Sequence, residues 1–500
     1  MVCCTPVCQK WTTFGFSAGF LISGFLLTFG WESLFNSILH KQLILEDGTM
    51  QYDTWTNSPV DLYMEVYLFN WTNAEDYEKT GIWTKPRLEE LGPYTYSLHS
   101  SRVNVKENDD NSLSYNSIRT YKFVPEKTTG SIEDEIIVIN PIIMSIAGLM
   151  KDKHPLVKLA VHHFLKRSNS SLVLTTKVRD YTFDGVSSLI LDVGRRLKFV
   201  EGYGIPFNNF SCFYGRNGSA TFDGDFRIWT GKDDIRKTGV MYEWNNKTVS
   251  KGYVGECSKI DGSSGEVFYP VKDDTIFPLF QSDFCGKVIL ERDGSYTKDG
   301  IEGNRYVSTD RMLDNGNKYP ETKCYSPDGY LASGVRDMSA CQYHAPAFLS
   351  LPHFYLADES YRTALEGMKP DPKKHKMYYV IEPNLGFPLD VHITFQANMM
   401  LYNVKYIGML ENVDDAMVPM VWARVSSGIP EDYIPLIKLA IAAPLIGLCI
   451  GYSFIVLGLL LFMLGVFMEI RLSKGELTYY GYLHSKFSHK KFKVSSTASL

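Results

Sequence analysis

Charge is missing from two long stretches of this 500-residue chain: no Asp, Glu, Lys or Arg occurs between Trp11 and Trp31, or between Leu439 and Met468. About 20 apolar residues cross the hydrocarbon core of a bilayer as a helix, so each run is long enough to span. No third run of that length occurs. Catalytic signatures are missing too. There is no G-x-S-x-G, and Gly262-Ser263-Ser264-Gly265 misses it by one residue. There is no H-E-x-x-H, and His162-His163 lacks the spacing of a metal-ligand pair. Asp261-Gly262-Ser263-Ser264 faintly echoes a phosphate loop, but a Gly/Ser turn accounts for it and no second such loop follows. The expectation is therefore no enzyme, no cofactor, no metal site and no nucleic-acid partner. Neither run carries a charge that would mark an ion path, and Ser17, Ser23, Thr28 and Ser453 are thin lining for a channel.

These runs divide the chain into a tail (1–10), a span (11–31), a large outer domain (32–437), a second span (438–468) and a second tail (469–500). A cleaved signal peptide is the rival reading of the first run. Lys10 is its only basic flank, Gly15, Gly19 and Gly24 interrupt it, and Trp31, Glu32 and Leu34 stand where small residues would mark cleavage. The run reads as a retained anchor. Arg471, Lys474, Lys486, Lys490, Lys491 and Lys493 crowd the second tail, which places both tails in the cytoplasm. Five N-x-S/T sequons, at Asn70, Asn169, Asn209, Asn217 and Asn246, all fall in the outer domain.

Cysteines divide in the same way. Cys3, Cys4 and Cys8 precede the first span and are candidates for palmitoylation. Cys212, Cys257, Cys285, Cys324 and Cys341 lie in the outer domain, where disulfides persist. Five is odd, so one thiol is left over or pairs between chains. Gly15/Gly19 and Gly447/Gly451 are small-xxx-small pairs that let the spans pack on each other or on a second copy, giving a homo-oligomer. Tyr480-Gly-Tyr-Leu483 fits an endocytic Y-x-x-apolar signal. The expected location is the plasma membrane, with endosome or lysosome second.

Within the outer domain, Leu389 to Met399 alternates apolar and polar residues over eleven positions, the pattern of a strand with one buried face. Met399-Met400 breaks the alternation and implies a bulge. Asn217-Gly218, Asp223-Gly224, Asp293-Gly294 and Asp299-Gly300 read as turns separating short strands. Pro141 to Arg167 reads as helical: apolar Ile142 to Met150, then Lys151, Lys153, Lys158, Lys166 and Arg167 against Asp152 alone. On a chain of net charge −5, that cluster is a candidate site for anionic lipid, lipoprotein or a protein partner.

LGPYTY at Leu91–Tyr96, TGKDDI at Thr230–Ile235, FQSDFC at Phe280–Cys285, APAFLSLPHFYLAD at Ala345–Asp358 and IEPNLGFPL at Ile381–Leu389 resemble motifs of the class B scavenger receptors, the family of fatty acid translocase and lysosomal integral membrane protein type II. The likeness covers nearly the whole chain in order, and FYGRNGSATFDG at Phe213–Gly224 looks most like arthropod members. The resemblance implies an α+β membrane protein. Two spans would flank an irregular antiparallel β-barrel, topped by a helical bundle around 141–167 and pierced by an apolar tunnel. It implies disulfides Cys257–Cys324 and Cys285–Cys341, an unpaired Cys212, and Ser326 where a third bridge would have a partner. It further implies a surface receptor that binds fatty acids, sterols, carotenoids, phospholipids or lipoprotein-type carriers and transfers lipid to the membrane. A docking, sorting or phagocytic receptor without transport is the alternative, and an ectonucleotidase-like enzyme the remote one.

Overall fold

The computed structural model describes residues 6–58, 62–197, 208–272, 274–327 and 329–474. Cys3, Cys4, Tyr480 and Leu483 lie outside the described residues. Two long helices, α1 (Pro6–Leu43) and α4 (Ile434–Ser473), are apolar and long enough to cross a membrane, and both continue past the uncharged runs. Gly447, Gly451, Gly458 and Gly465 are the buried side of α4, facing Trp31, Thr28, Leu21 and Phe14 of α1. The last three recur every seven residues, the repeat that keeps one seam turned toward a neighbouring helix. Close approach lets Ser17 donate to the Gly458 carbonyl (2.8 Å) and Trp31 Nε1 to that of Ala443 (2.9 Å). The Gly447/Gly451 pair is thus used within the chain, whereas Gly15 and Gly19 have nothing within 4 Å.

Residues 42–431 form a separate compact unit. Its centre is a 13-stranded antiparallel sheet: β1 (Leu62–Trp71), β2 (Leu88–Glu107), β3 (Ser112–Phe123), β4 (Asp225–Trp229), β5 (Met241–Trp244), β6 (Ile276–Gln281), β7 (Gly286–Lys298), β8 (Ile301–Val307), β9 (Val335–Asp337), β10 (Ala347–Ser350), β11 (Tyr378–Ile381), β12 (Pro388–Leu401) and β13 (Ala416–Gly428). The spatial order is β6-β7-β8-β11-β12-β13-β1-β2-β3-β4-β5, with β10 joining β9 to β12. The edges nearly meet. Gly262 and Ser263 bridge them: Met241 N–H donates to the Gly262 carbonyl (2.8 Å), and Ser263 exchanges bonds with Pro278 and Phe280 (2.9 and 2.8 Å). The sheet is a nearly closed barrel. The segment read from sequence as a Gly/Ser turn is its seam.

Asp299-Gly300 turns β7 into β8 with both residues at positive φ, as a two-residue hairpin demands. Asp293-Gly294, read as a turn, is instead a bulge inside continuous β7; glycine absorbs the extra residue and pairing resumes beyond it. The long strand is present as β12, but its faces are not as expected. Thr394, Gln396 and Asn398 are almost fully buried, while Val391, Ile393, Phe395 and Ala397 remain half-buried. The polar side is tolerated because it is bonded: Gln396 and Asn398 both reach Ser350 Oγ (3.2 and 3.0 Å), and Thr394 donates to the His375 carbonyl (2.8 Å). The register shift against β13 falls at Ala397/Asn398, earlier than Met399-Met400.

The single helical segment expected over Pro141–Arg167 is two helices, α2 (Pro141–Met150) and α3 (Pro155–Arg167). Pro155 begins the second because proline suits the first helical turn and disfavours helix at the residue before it. His154 caps it, its Nδ1 accepting from Leu156 N–H (3.3 Å). Helix α2 buries Ile142, Ile143, Met144 and Ala147 against β12. Gly148 permits that approach, since a Cβ there would stand 3.0 Å from Pro346.

Candidate functional site

Helix α3 differs from α2 in what it leaves uncovered. Leu165 is its one fully buried residue, while Leu156 (69 % exposed), Val157 and Leu159 face solvent. Lys151 and Lys153 are exposed in the preceding turn, and Lys158 is half-buried. Two contacts fix the turn: Lys158 Nζ donates to the Lys151 carbonyl (2.8 Å), and Lys151 Nζ sits 4.4 Å from the Tyr402 ring centre. The expected basic cluster therefore divides. Lys151, Lys153 and Lys158 adjoin the exposed leucines, whereas Lys166 and Arg167 stand at the other end of α3, about 15 Å away at 1.5 Å per residue. Apolar carbons flanked by ammonium groups are complementary to an amphiphile with an anionic head.

Elsewhere in the unit, Phe395 of β12 touches both of the larger hydrophobic clusters. Val391 and Ile393 pack on one, Ala397 and Met400 on the other, none of them fully buried.

Both disulfides form: Cys257–Cys324, with Cα atoms 5.6 Å apart, and Cys285–Cys341, with Cα atoms 6.2 Å apart. Cys212 is a free thiol whose pKa burial pushes up to about 12, so it stays protonated and inert. Ser326 is buried, its hydroxyl without a partner among the described residues. Asn169 and Asn246 sit at positive φ in exposed turns. Asn70 and Asn217 instead use their side-chain oxygens to accept from Ile137 and Tyr121 N–H groups (2.8 and 2.9 Å). Asn209 lies half-buried in the short strand Asn209–Phe210.

Glu90, His353 and His375 form a cluster whose distant positions in the chain hid it from sequence reading. One ligand-type atom from each lies within 4.8 Å of the others. His353 Nε2 bonds Glu90 Oε2, which also accepts from Trp422 Nε1 (2.8 Å). The two imidazoles stack at 4.8 Å and 12°. Their Nδ1 atoms accept backbone N–H bonds from Lys369 (3.2 Å) and Asp371 (3.0 Å). An Nδ1 that accepts leaves the ring proton on Nε2. That is the atom a metal would need, so the donor set fits a proton network and not a metal centre. Burial raises the Glu90 pKa, but the His353 and Trp422 bonds outweigh it and hold the carboxyl below its ordinary value. Burial is the main cause that lowers His375 to about 4, with the neighbouring His353 ring next. His353, Phe354 and Leu356 occupy the left-handed region at φ 52°, 57° and 60°, conformations that cost non-glycine residues energy and persist where surroundings enforce them. The only sequence signal was that His353 falls within the Ala345–Asp358 motif.

Comparison with known proteins agrees with this architecture. Protein peste of Drosophila melanogaster is 32% identical over 429 residues, covering 84% of this chain and 76% of that protein. Scavenger receptor class B member 1 of Rattus norvegicus is 27% identical over 396 residues, 79% of this chain and 76% of that protein. Sensory neuron membrane protein 2 of Manduca sexta is 29% identical over 449 residues, 83% and 85% of the two chains. A family model described as the CD36 family matches residues 15–469. A chain with two candidate membrane helices, one on each side of the β-barrel in sequence, matched from residue 15 to 469, is a membrane protein of the CD36 family of scavenger receptors.

Proposed function

We propose that the chain is a cell-surface receptor that binds lipids or lipoprotein-type ligands at α2–α3 and passes lipid along an apolar passage to the membrane. The observation that carries this reading is the uncovered apolar edge of α3, Leu156, Val157 and Leu159, beside Lys151, Lys153 and Lys158. A long-chain lipid is nearly insoluble because each methylene taken out of water is worth about 0.8 kcal/mol. Its movement between a carrier and a bilayer needs a continuous apolar path and no catalytic group. The half-buried face of β12, with Phe395 between two hydrophobic clusters, supports such a path. Basic residues of the second tail and the placement of all five sequons support cytoplasmic tails, an outer barrel and the plasma membrane, with endosomes second. Cys8, together with Cys3 and Cys4, is proposed to be acylated.

A docking receptor without transport is supported by the same edge, since a cationic apolar surface also suits a protein ligand. Charge reversal tests the edge under either reading, and blocking the β12 face separates them. Reversing Lys151, Lys153 and Lys158 to Glu weakens binding to anionic vesicles by about 100-fold or more, at about 1 kcal/mol per lysine near such a surface. Ala397→Trp fills the β12 face, stops lipid uptake by cells and leaves surface binding intact. Uptake at the wild-type rate in Ala397→Trp refutes passage along β12. Mass spectrometry of lipid co-purified with the protein names the cargo.

A further inference from the structure

Beside the hairpin that carries Asn246 lies a cleft of about 180 Å³, far from the α3 edge in sequence and lined by different strands. It holds the volume of about six waters, close to one sugar ring. Its floor is built from four neighbouring strands, β2 to β5. Ser114 stands opposite Arg227, Asn116 opposite Asp225, and Arg227 opposite Glu243. Asn104 Nδ2 donates to Asn116 Oδ1 (3.0 Å), and Asn116 Nδ2 donates to Asp225 Oδ1 (2.6 Å). Arg227 is consumed by Asp110, Glu243 and Ser112. Asn104 Oδ1, Asp225 Oδ2 and Glu243 Oε1 accept nothing from the described residues. Three side-chain oxygens without a donor, beside an arginine already held by three acceptors, call for a ligand that brings hydroxyl donors.

The hairpin is held rigidly over that floor. Asn245 and Asn246, at φ 53° and 57°, form a two-residue turn closed by Trp244 N–H to the Lys247 carbonyl (2.9 Å). Asn245 N–H donates to the Asp225 carbonyl (2.8 Å), and Asp225 N–H to Asn245 Oδ1 (3.1 Å). Trp244 Nε1 adds a bond to the Asp223 carbonyl (2.8 Å). Gly224, at φ 87°, makes room where Asn245 crosses. Asn246 is at once exposed, the first residue of a sequon, and part of the cleft wall. A sugar attached there is tethered at the rim, which raises its local concentration far above that of any free saccharide.

We propose that this cleft is a carbohydrate seat, filled by the first sugar of an N-linked glycan on Asn246. The inference rests on the outer placement of the barrel proposed above. The test uses the full-length protein from a glycosylating cell line, in detergent. Glycopeptide mass spectrometry should find Asn246 occupied. Release of that glycan by peptide N-glycosidase from the native protein should be at least fivefold faster in Asn104→Ala/Glu243→Ala than in wild type, with other occupied sequons unchanged. A Thr248→Ala variant drops the glycan and keeps every lining residue; hydrogen exchange at 225–227 and 243–246 should rise at least threefold. This second readout holds even where the double variant fails to fold. An unoccupied Asn246 beside other occupied sequons overturns the seat alone, whereas no occupied sequon overturns the orientation as well. Equal release in wild type and the double variant, unchanged exchange in Thr248→Ala, or protection abolished by EDTA, which would mark a cation site, each overturns the proposal.

Discussion

Lowering the pH should loosen the segment that crosses the stacked histidines, and the size of the effect follows from their surroundings. The segment is anchored to β2 by Glu366, which exchanges backbone bonds with Pro86 and Leu88 (2.9 and 3.0 Å), and it then gives the Lys369 and Asp371 N–H groups to His353 and His375. The groups facing His375 are His353 and Lys374, which disfavour its charge, and Glu90 and Asp371, which favour it; burial dominates all four. With a folded pKa of about 4 against 6.5, the unfolded or opened chain takes up a proton that the closed form refuses. Stability is therefore complete above pH 6.5, declines as pH falls toward 4, and levels off below. At 1.36 kcal/mol per pH unit the ceiling is about 3 kcal/mol. Glu90, whose side chain is 30 % exposed, admits water to the cluster, and screening reduces the expected loss to about 2 kcal/mol. After correction for intrinsic exchange, the opening constant at the Lys369 and Asp371 amides should rise roughly 30-fold between pH 7 and 4. His375→Asn, whose side-chain oxygen replaces Nδ1 as acceptor, should flatten the response. Equal protection at both pH values in wild type, or the same fall in the variant, refutes the reasoning.

Other perturbations probe separate parts of the molecule. Arg216→Met should cost about 3 kcal/mol in urea unfolding, because it leaves buried Asp223 and half-buried Asp283, paired with Arg216 at 3.1 and 2.8 Å, short of a counter-charge. Arg119 alone cannot hold the Asp283 carboxyl as far below its ordinary range as the two arginines do together. Replacing Cys257 and Cys324 by serine opens a loop of 67 residues and should lower stability by about 4 kcal/mol on the chain-entropy account, seen as a lower denaturant midpoint under non-reducing conditions. Gly451→Val should disrupt the pairing of α1 with α4, since a Cβ there would stand 2.9 Å from Thr28 N. A penalty of about 1–3 kcal/mol should lower the yield of a cysteine cross-link between the helices; an unchanged yield would refute the seam.

What could be read from the sequence depended on the range of the interaction responsible. The spans were legible because a bilayer imposes length and the absence of charge locally. Strand β12 was legible in extent but not in orientation. Alternation shows that two faces differ, and only the polar partners Ser350 and the His375 carbonyl, contributed from elsewhere, make the Gln396/Asn398 side the better buried one. The break between α2 and α3 was written in Pro155, yet the continuous apolar and basic pattern masked it. Glu90, His353, His375 and Trp422 meet only through strand pairing across most of the chain, so no spacing announced them.

The Gly262–Ser263 seam has a consequence for how this protein survives at high local density in a membrane. A sheet of thirteen strands with raw borders would offer unpaired backbone groups to any neighbouring copy, the usual first step of strand-by-strand accretion. Here those bonds are already spent at Met241, Pro278 and Phe280. The two end strands consequently present fewer open backbone groups to a crowded neighbour, and side-chain contacts, which come apart again, take a larger share of any encounter.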